Sequence, residues 1–414
     1  MNRTVTFLSG LATLSLIAAA CSSSSGAGGN NLFTGGSGGA AGTGVGATGG
    51  GIQVGGSGGG INVGGAAGSS TGGGTSNCSS GPTEDKDGDG FTKQDGDCND
   101  CDPNVNPGAI DTQHTEDGGV VWGDEDCDGT PGSTGQVVCD DTINLDDVDP
   151  MNAAKSIELC QQATGKSAGV ISAQWVRADG SAFASPGLQV GIQPDFGPNV
   201  HTQGGKRMLA ISSGHARTPS QPGACGSLTC TANSGGNPPP GFPQDTAGCS
   251  GASDINDDVA LEVKLRAPTN ATGYSFSFRF YSFEYPEWVC TSFNDQFIAL
   301  VSPAPTGANN GNICFDSKNN PVTVNVGFFD VCSGCPSGTN DLQGTGFDVW
   351  DDAGATVWLT TQAPIKGGEE FSVRFAIWDT GDQAWDSTAL VDNFQWIVNG
   401  GTVDVGTTPI PTPK

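Results

Sequence analysis

Basic residues are scarce in this sequence: 16 Lys and Arg stand against 44 Asp and Glu over 414 residues, a net charge of -28. That balance excludes a nucleic-acid binder, because a phosphate backbone would be repelled. The exclusion survives removal of the most acidic stretch, since residues 150–414 alone carry -11. Histidine is limited to His114, His201 and His215. Neither an H-E-x-x-H zinc signature nor a strand-to-helix G-x-S-x-G elbow is present. No strand–helix alternation supports a doubly wound sheet. The apolar stretch Phe7–Ala20 is too short to serve as a finished membrane span. Residues 22–77 contain no charged side chain at all, and they cannot bury enough apolar surface to offset their chain entropy.

Arg3 followed by the apolar stretch to Ala20 reads as a secretory signal, residues 1–20. The run LIAAAC, ending at Cys21, resembles the lipobox of bacterial lipoproteins, although Ala18 stands where such boxes usually carry Leu. The resemblance implies a lipid on Cys21, and Ser22 after it favours the outer membrane. The alternative is an ordinary cut near Ala20 and release from the cell. Residues 21–77 then form a disordered Gly/Ser-rich tether, roughly 40 Å from end to end as a random coil. Glycine-rich self-association is its rarer reading.

Residues 78–148 read as an acidic module. Residues 84–149 hold 20 Asp and Glu against Lys86 and Lys93, a net charge of -18. Asp85, Asp87 and Asp89, followed by Gly90, occupy positions 1, 3, 5 and 6 of an EF-hand loop, and Asp95, Asp97 and Asp100 continue the series. Asp124, Asp126 and Asp128 before Gly129 repeat the spacing. Carboxylates this close repel one another unless a hard cation accepts them, so Ca2+ is the expected structural cofactor. Position 12 is Gly96 rather than a bidentate Glu, and no amphipathic helix flanks the loop, so this is no calcium sensor. The bland reading is a solvated acidic linker. GDCNDCDPNVNPGAID followed by GDEDCDG resembles a myxobacterial-type metal-binding repeat over about residues 85–130. That resemblance implies disulfide-bonded cysteines, with Cys98–Cys127 as a pair. Cys98 and Cys101 are spaced like half a zinc site, but no second CxxC lies near them. Of 14 cysteines, lipidation of Cys21 leaves an odd number. Cys160, inside an expected helix, is the candidate buried thiol, and Cys78 the candidate for pairing between chains.

From Asp149 the pattern changes. PMNAAKSIELCQQA predicts a short helix with Asp149 as N-cap and Pro150 at its first position. VALEVKLR, YSFSFRFY, VTVNVGFF, EFSVRFAIW and ALVDNFQWIV alternate with period 2 and predict strands. Val259, Leu261, Val263 and Leu265 share one face, as do Tyr274, Phe276, Phe278 and Phe280. The expected fold is mostly β, an antiparallel β-sandwich of jelly-roll type over residues 149–399, with an extended tail at 400–414. The phrases DPMNAAKSIELC, GIQPDFGPNVHTQGGKRMLAISSGHAR, FRFYSFEYPEWVCTSFNDQFIAL and AIWDTGDQAWDSTALVDNFQW resemble the choice-of-anchor L domain. The resemblance implies a surface-exposed bacterial module with no defined molecular activity.

Two groups of strand-end acids and amides stand in this domain, Glu284, Glu287, Asn294 and Asp295, and Asp379, Asp382, Asp386, Asp392 and Asn393; Glu284 with Asp382, Asp386 and Asp392 are the candidates for a second calcium site. Glu284 and Glu287 are candidates, by residue type only, for the two carboxylates of a glycoside hydrolase, and Ser212, Ser213 and His215 lie close in sequence without an identified acid. The expected function is a non-catalytic, calcium-stabilised cell-surface protein with a structural or adhesive role. Its partner would be a surface protein or polysaccharide. A carbohydrate-binding module stacking sugars on Trp288, Trp350 or Trp385 is the second reading, and an extracellular glycoside hydrolase the third.

Overall fold

Alternating apolar residues do become strands in this chain. The computed structural model describes residues 79–410 except 117, 134–136, 231, 234, 250, 326–327, 350–352 and 399. The expected signal, Cys21, the tether, Cys78 and Trp350 lie outside the described residues. Strands β1 (Gln113–Glu116) and β2 (Gly119–Trp122) form a hairpin in the acidic segment. Helix α1 (Pro150–Lys155) opens the larger part, capped by the Asp149 side chain on the Met151 N–H. Then come β3 (Gly169–Val176), β4 (Val190–Gln193), β5 (Met208–Ser212), β6 (Ile255–Arg266), β7 (Ala271–Ser282) and β8 (Gln296–Ser302). They are followed by β9 (Val322–Thr323), β10 (Phe329–Cys332), β11 (Gly354–Thr356), β12 (Leu359–Pro364), β13 (Glu370–Thr380), β14 (Ser387–Val398) and β15 (Gly406–Pro409).

The fold is mostly β, and the named strands pair antiparallel in two large sheets. One runs β3-β6-β13-β8-β9; the other runs β10-β11-β7-β14-β5-β4, with β12 between β7 and β15. Val259, Leu261, Val263 and Leu265 of β6 and Phe375 of β13 share one core with Tyr274, Phe276, Phe278 and Phe280 of β7. The two sheets therefore bury their apolar faces against each other. Residues 406–409, in the segment expected as a tail, are extended and pair with β12.

Three sequence expectations differ from the structure. The helix stops at Lys155 instead of running through Cys160, because Ser156 closes its last turn and Glu158 adopts a left-handed φ of 68°. Cys160 is consequently no free thiol: it is bonded to Cys139. The free cysteine among the described residues is Cys314, buried in the core, where burial pushes its thiol up to about 12. VTVNVGFF is not one strand. Val322–Thr323 pairs with β8 in one sheet and Phe329–Cys332 with β11 in the other, so the chain changes sheets through a turn at Val324 and Asn325. The second face of β7 is buried too over Arg279–Tyr281. Arg279 is 1% exposed, lies 5.3 Å from the centre of the Tyr281 ring and pairs with Asp341 at 2.9 Å.

Besides Cys139–Cys160, the disulfides among the described residues are Cys98–Cys127, Cys225–Cys230, Cys249–Cys290 and Cys332–Cys335. Cys101 is disulfide-bonded as well. Neither Cys98 nor Cys101 thus offers a thiolate to zinc.

Candidate metal centre

The acidic segment is folded by its own carboxylates. An Asp side chain that bonds a backbone N–H two or more residues on bends the chain back toward itself. Asp85 accepts from the Gly88 N–H at 2.7 Å and from the Gly90 N–H at 3.0 Å. Asp87 accepts from Asp89, and Asp89 from Phe91. Gly90 takes φ 93°, where a side chain would be strained. The second loop repeats the scheme: Asp124 accepts from Gly129 (φ 85°), Asp126 from Asp128 and Asp128 from Thr130. Cys98–Cys127 ties the two loops together across 29 residues.

Three groups of carboxylates result, in each of which one oxygen per residue lies within 4.8 Å of the others: Asp85, Asp87 and Asp100; Asp87, Asp89 and Asp97; Asp111, Asp124 and Asp126. Asp87 belongs to two of them. In the second group Asp87 Oδ2, Asp89 Oδ2 and Asp97 Oδ2 are buried and accept no hydrogen bond. Burial, with the charges of Asp87 and Asp97 adding to it, pushes Asp89 up to about 6, and burial likewise raises Asp97. Converging anionic oxygens without donors are the donor set of a hard divalent cation.

Two residues from the sequence reading fall outside these groups. Asp95 closes a capping box with Thr92 around the turn Lys93–Asp95 and pairs with Lys166 at 3.3 Å. Asp128 serves the turn at Thr130. Asp111 was missed by the spacing: it follows the NPGAI phrase and reaches the second loop only in space, accepting from the Glu125 and Asp126 N–H groups.

The segment is seated on the turn between β6 and β7. Thr269 donates its N–H to the Gly108 carbonyl at 2.9 Å, and Asn270 exchanges hydrogen bonds with both the N–H and the carbonyl of Ile110. Phe91 fills the contact beneath Lys166. Asn270→Ala is expected to cost about 1–3 kcal/mol, because it leaves part-buried backbone groups of Ile110 unpaired. Limited proteolysis should then cut residues 79–130 markedly faster, and an unchanged cleavage rate would count against this seating.

The strand-end acids of the sandwich separate into two places. Glu284 and Asp386 lie near Asp295 and Asp379, with Asp382 adding its charge from farther out. Asp392 sits six residues along β14 from Asp386, about 20 Å at the rise of a strand, at a break in the β14–β7 register where Asn393 has φ 55°. There it meets Glu158 and Asp140, which no sequence pattern marked. Asp392 Oδ2 accepts from the Gln203 and Gly204 N–H groups, and Asp140 Oδ2 from those of Lys206 and Arg207. Gly205 is required here, since a Cβ would lie 2.4 Å from Glu158 Oε1 and 2.5 Å from Asp140 Oδ2.

Burial, reinforced by the charge of Asp392, pushes Glu158 up to about 10; burial pushes Asp392 up to about 7. Carboxyls raised in the folded state stabilise it below their unfolded values and lose that contribution as pH rises through the folded ones. In chelator, stability is therefore expected to fall from pH 5 to pH 9. Glu158→Gln, which is neutral throughout, should flatten that slope in denaturant titrations. An equal slope in the variant would show that Glu158 does not titrate this way.

The groups with catalytic potential are not brought together. Glu284 is buried, whereas Glu287 is exposed. The Ser212 hydroxyl donates to the Ser387 carbonyl, and His215 Nδ1 bonds the Gly223 carbonyl. Trp288 and Trp385 are half-buried and meet edge to face at 81°, so they do not present coplanar rings.

A choice-of-anchor L domain is present at residues 208–393, from the start of β5 into β14. No curated protein and no solved structure matches the chain.

Proposed function

We propose that this chain is a calcium-stabilised structural or adhesive protein of a bacterial surface, without catalytic activity, tethered to the outer membrane through a lipid on Cys21. The observation that carries the reading is the group Asp87, Asp89 and Asp97: one carboxylate oxygen of each lies within 4.8 Å of the others, and each has a buried Oδ2 that accepts no hydrogen bond. Ca2+ there would fix the acidic loops against the two-sheet scaffold, which we read as a jelly-roll sandwich. The choice-of-anchor L domain and the mostly-β architecture support a surface module. Among the described residues no helix is long and apolar enough to cross a membrane. The partner is a surface protein or a polysaccharide. The edge-to-face arrangement of Trp288 and Trp385 favours protein over stacked sugar rings.

The test is capture of intact cells of the producing organism on beads carrying the full chain, in calcium and in chelator. Calcium-dependent capture that is lost after mild protease treatment of the cells and kept after periodate supports the protein partner. The reverse pattern transfers the function to carbohydrate binding. Equal capture in calcium and chelator overturns a calcium-organised surface.

A further inference from the structure

We propose that the end of the sandwich formed by residues 225–254, 283–295 and 381–386 is a recognition surface for a basic protein segment, one that presents Lys or Arg beside an apolar residue. The inference rests on the adhesive reading above and names the surface and the partner chemistry that would carry it.

Strand order brings the three segments together. Residues 283–295 connect β7 to β8, residues 381–386 connect β13 to β14, and residues 225–254 lead into β6. The pairs Ser282–Ser387, Trp378–Gln296 and Thr380–Ile255 set these strand ends side by side. At the opposite end the acidic segment is bonded to the β6–β7 turn through Thr269 and Asn270. Loops gathered at one end of a β-sandwich are where such a scaffold carries recognition.

These loops are tied to one another. The disulfide Cys225–Cys230 closes a short turn in the first segment, and Cys249–Cys290 joins the first segment to the second. The Trp385 N–H donates to the Thr229 hydroxyl at 2.9 Å, the Asp386 N–H to the Leu228 carbonyl at 2.9 Å, and the Gln383 side chain to the Asn233 carbonyl at 3.1 Å. The Ala252 N–H donates to the Ser292 carbonyl and the Gly381 N–H to the Asp254 carbonyl, each at 3.1 Å. A surface fixed before binding loses little conformational entropy when a partner docks.

The surface combines an apolar group with charge of one sign. Phe293 and Trp385 meet Trp288 edge to face, with ring centres at 5.2 and 5.5 Å, and all three are half-buried. Pro286 and Val289, on either side of Trp288, are exposed. No Lys, Arg or His occurs in the three segments. Their acids Asp245, Asp254 and Glu287 are exposed, and Asp382 is half-buried. Arg177, which follows β3 and reaches Asn233, is paired with Asp258 at 2.9 Å. Indole faces and carboxylates with no base among them attract a guanidinium or an ammonium, while the apolar group takes the residue beside it. An acidic polymer would be repelled here, and a second copy of this chain brings a net charge of -28.

The test selects randomised displayed peptides on the full chain, in calcium and at near-physiological salt, and measures synthetic copies of the enriched ones by fluorescence anisotropy. Enriched peptides are expected to carry Lys or Arg next to an apolar residue. Trp288→Ala should weaken their binding about 10-fold or more. Glu287→Gln combined with Asp254→Asn should weaken it several-fold, and this pair decides the matter if Trp288→Ala fails to fold. Asp141→Asn combined with Asp404→Asn removes the same charge from exposed positions elsewhere and should leave binding unchanged. Equal weakening by the two double variants would mean attraction by bulk charge and overturn the proposal. Enrichment of peptides without Lys or Arg, or no enrichment, overturns it as well. In the cell-capture assay, equal calcium-dependent capture by wild type and Trp288→Ala leaves the adhesive reading standing and removes this surface from it.

Discussion

In excess calcium the full chain should unfold about 5 to 10 °C above its midpoint in chelator, since a ligand at 100 times its Kd adds about 2.7 kcal/mol per site to the folded state. Asp87→Asn should remove most of the part that comes from the acidic loops, because Asp87 contributes to two of the three carboxylate groups there. Asp128→Asn should remove little. Its oxygen serves a backbone turn at Thr130 and lies outside all three groups. The comparison between the two variants separates coordination from mere reduction of negative charge, which is identical in both. Calorimetry of the three proteins in the two buffers measures it. Equal behaviour of the two variants would mean that the loops respond to bulk charge and bind no ion in these groups.

Phe278→Ala should be the most damaging single substitution in the sandwich, costing about 3–5 kcal/mol and lowering the midpoint by about 10 °C. Phe278 is fully buried at the centre of β7, with the rings of Phe297 and Phe276 at 5.1 and 6.1 Å. Its neighbours come from both sheets, so the cavity left behind cannot close by moving one strand alone. Val120→Ala is the control: Val120 is exposed on β2, and its loss should stay within about 0.5 kcal/mol. Denaturant titration of the two variants checks the contrast. A Phe278→Ala protein as stable as the Val120→Ala protein would contradict the shared core.

The strands of the sandwich were legible because alternation is a local property. From Val259 to Leu265 in β6 and from Tyr274 to Phe280 in β7 every second residue is large and apolar, and successive side chains in a strand must point to opposite faces. The same logic failed at VTVNVGFF, where alternation continues through a segment that changes sheets. Pattern does not record which neighbour a strand finds. The helix after Asp149 was legible at its start, where Asp149 and Pro150 are local signals, and not at its end, where Glu158 is drawn into a left-handed conformation beside Asp140 and Asp392.

The candidate sites divide along the same line. Asp85, Asp87, Asp89, Asp124 and Asp126 could be named from the chain because Asp and Gly at alternate positions bend a loop through bonds spanning two to five residues. The mostly-β architecture and the acidic loops likewise follow from residue order and charge alone. Only tertiary structure adds Asp111 to the second loop, separates Asp386 from Asp392, and gathers residues 225–254, 283–295 and 381–386 at one end of the sandwich. The physical reason is that these meetings depend on register breaks and sheet pairing. Both are settled by packing between segments far apart in the chain, and no short stretch of sequence carries them.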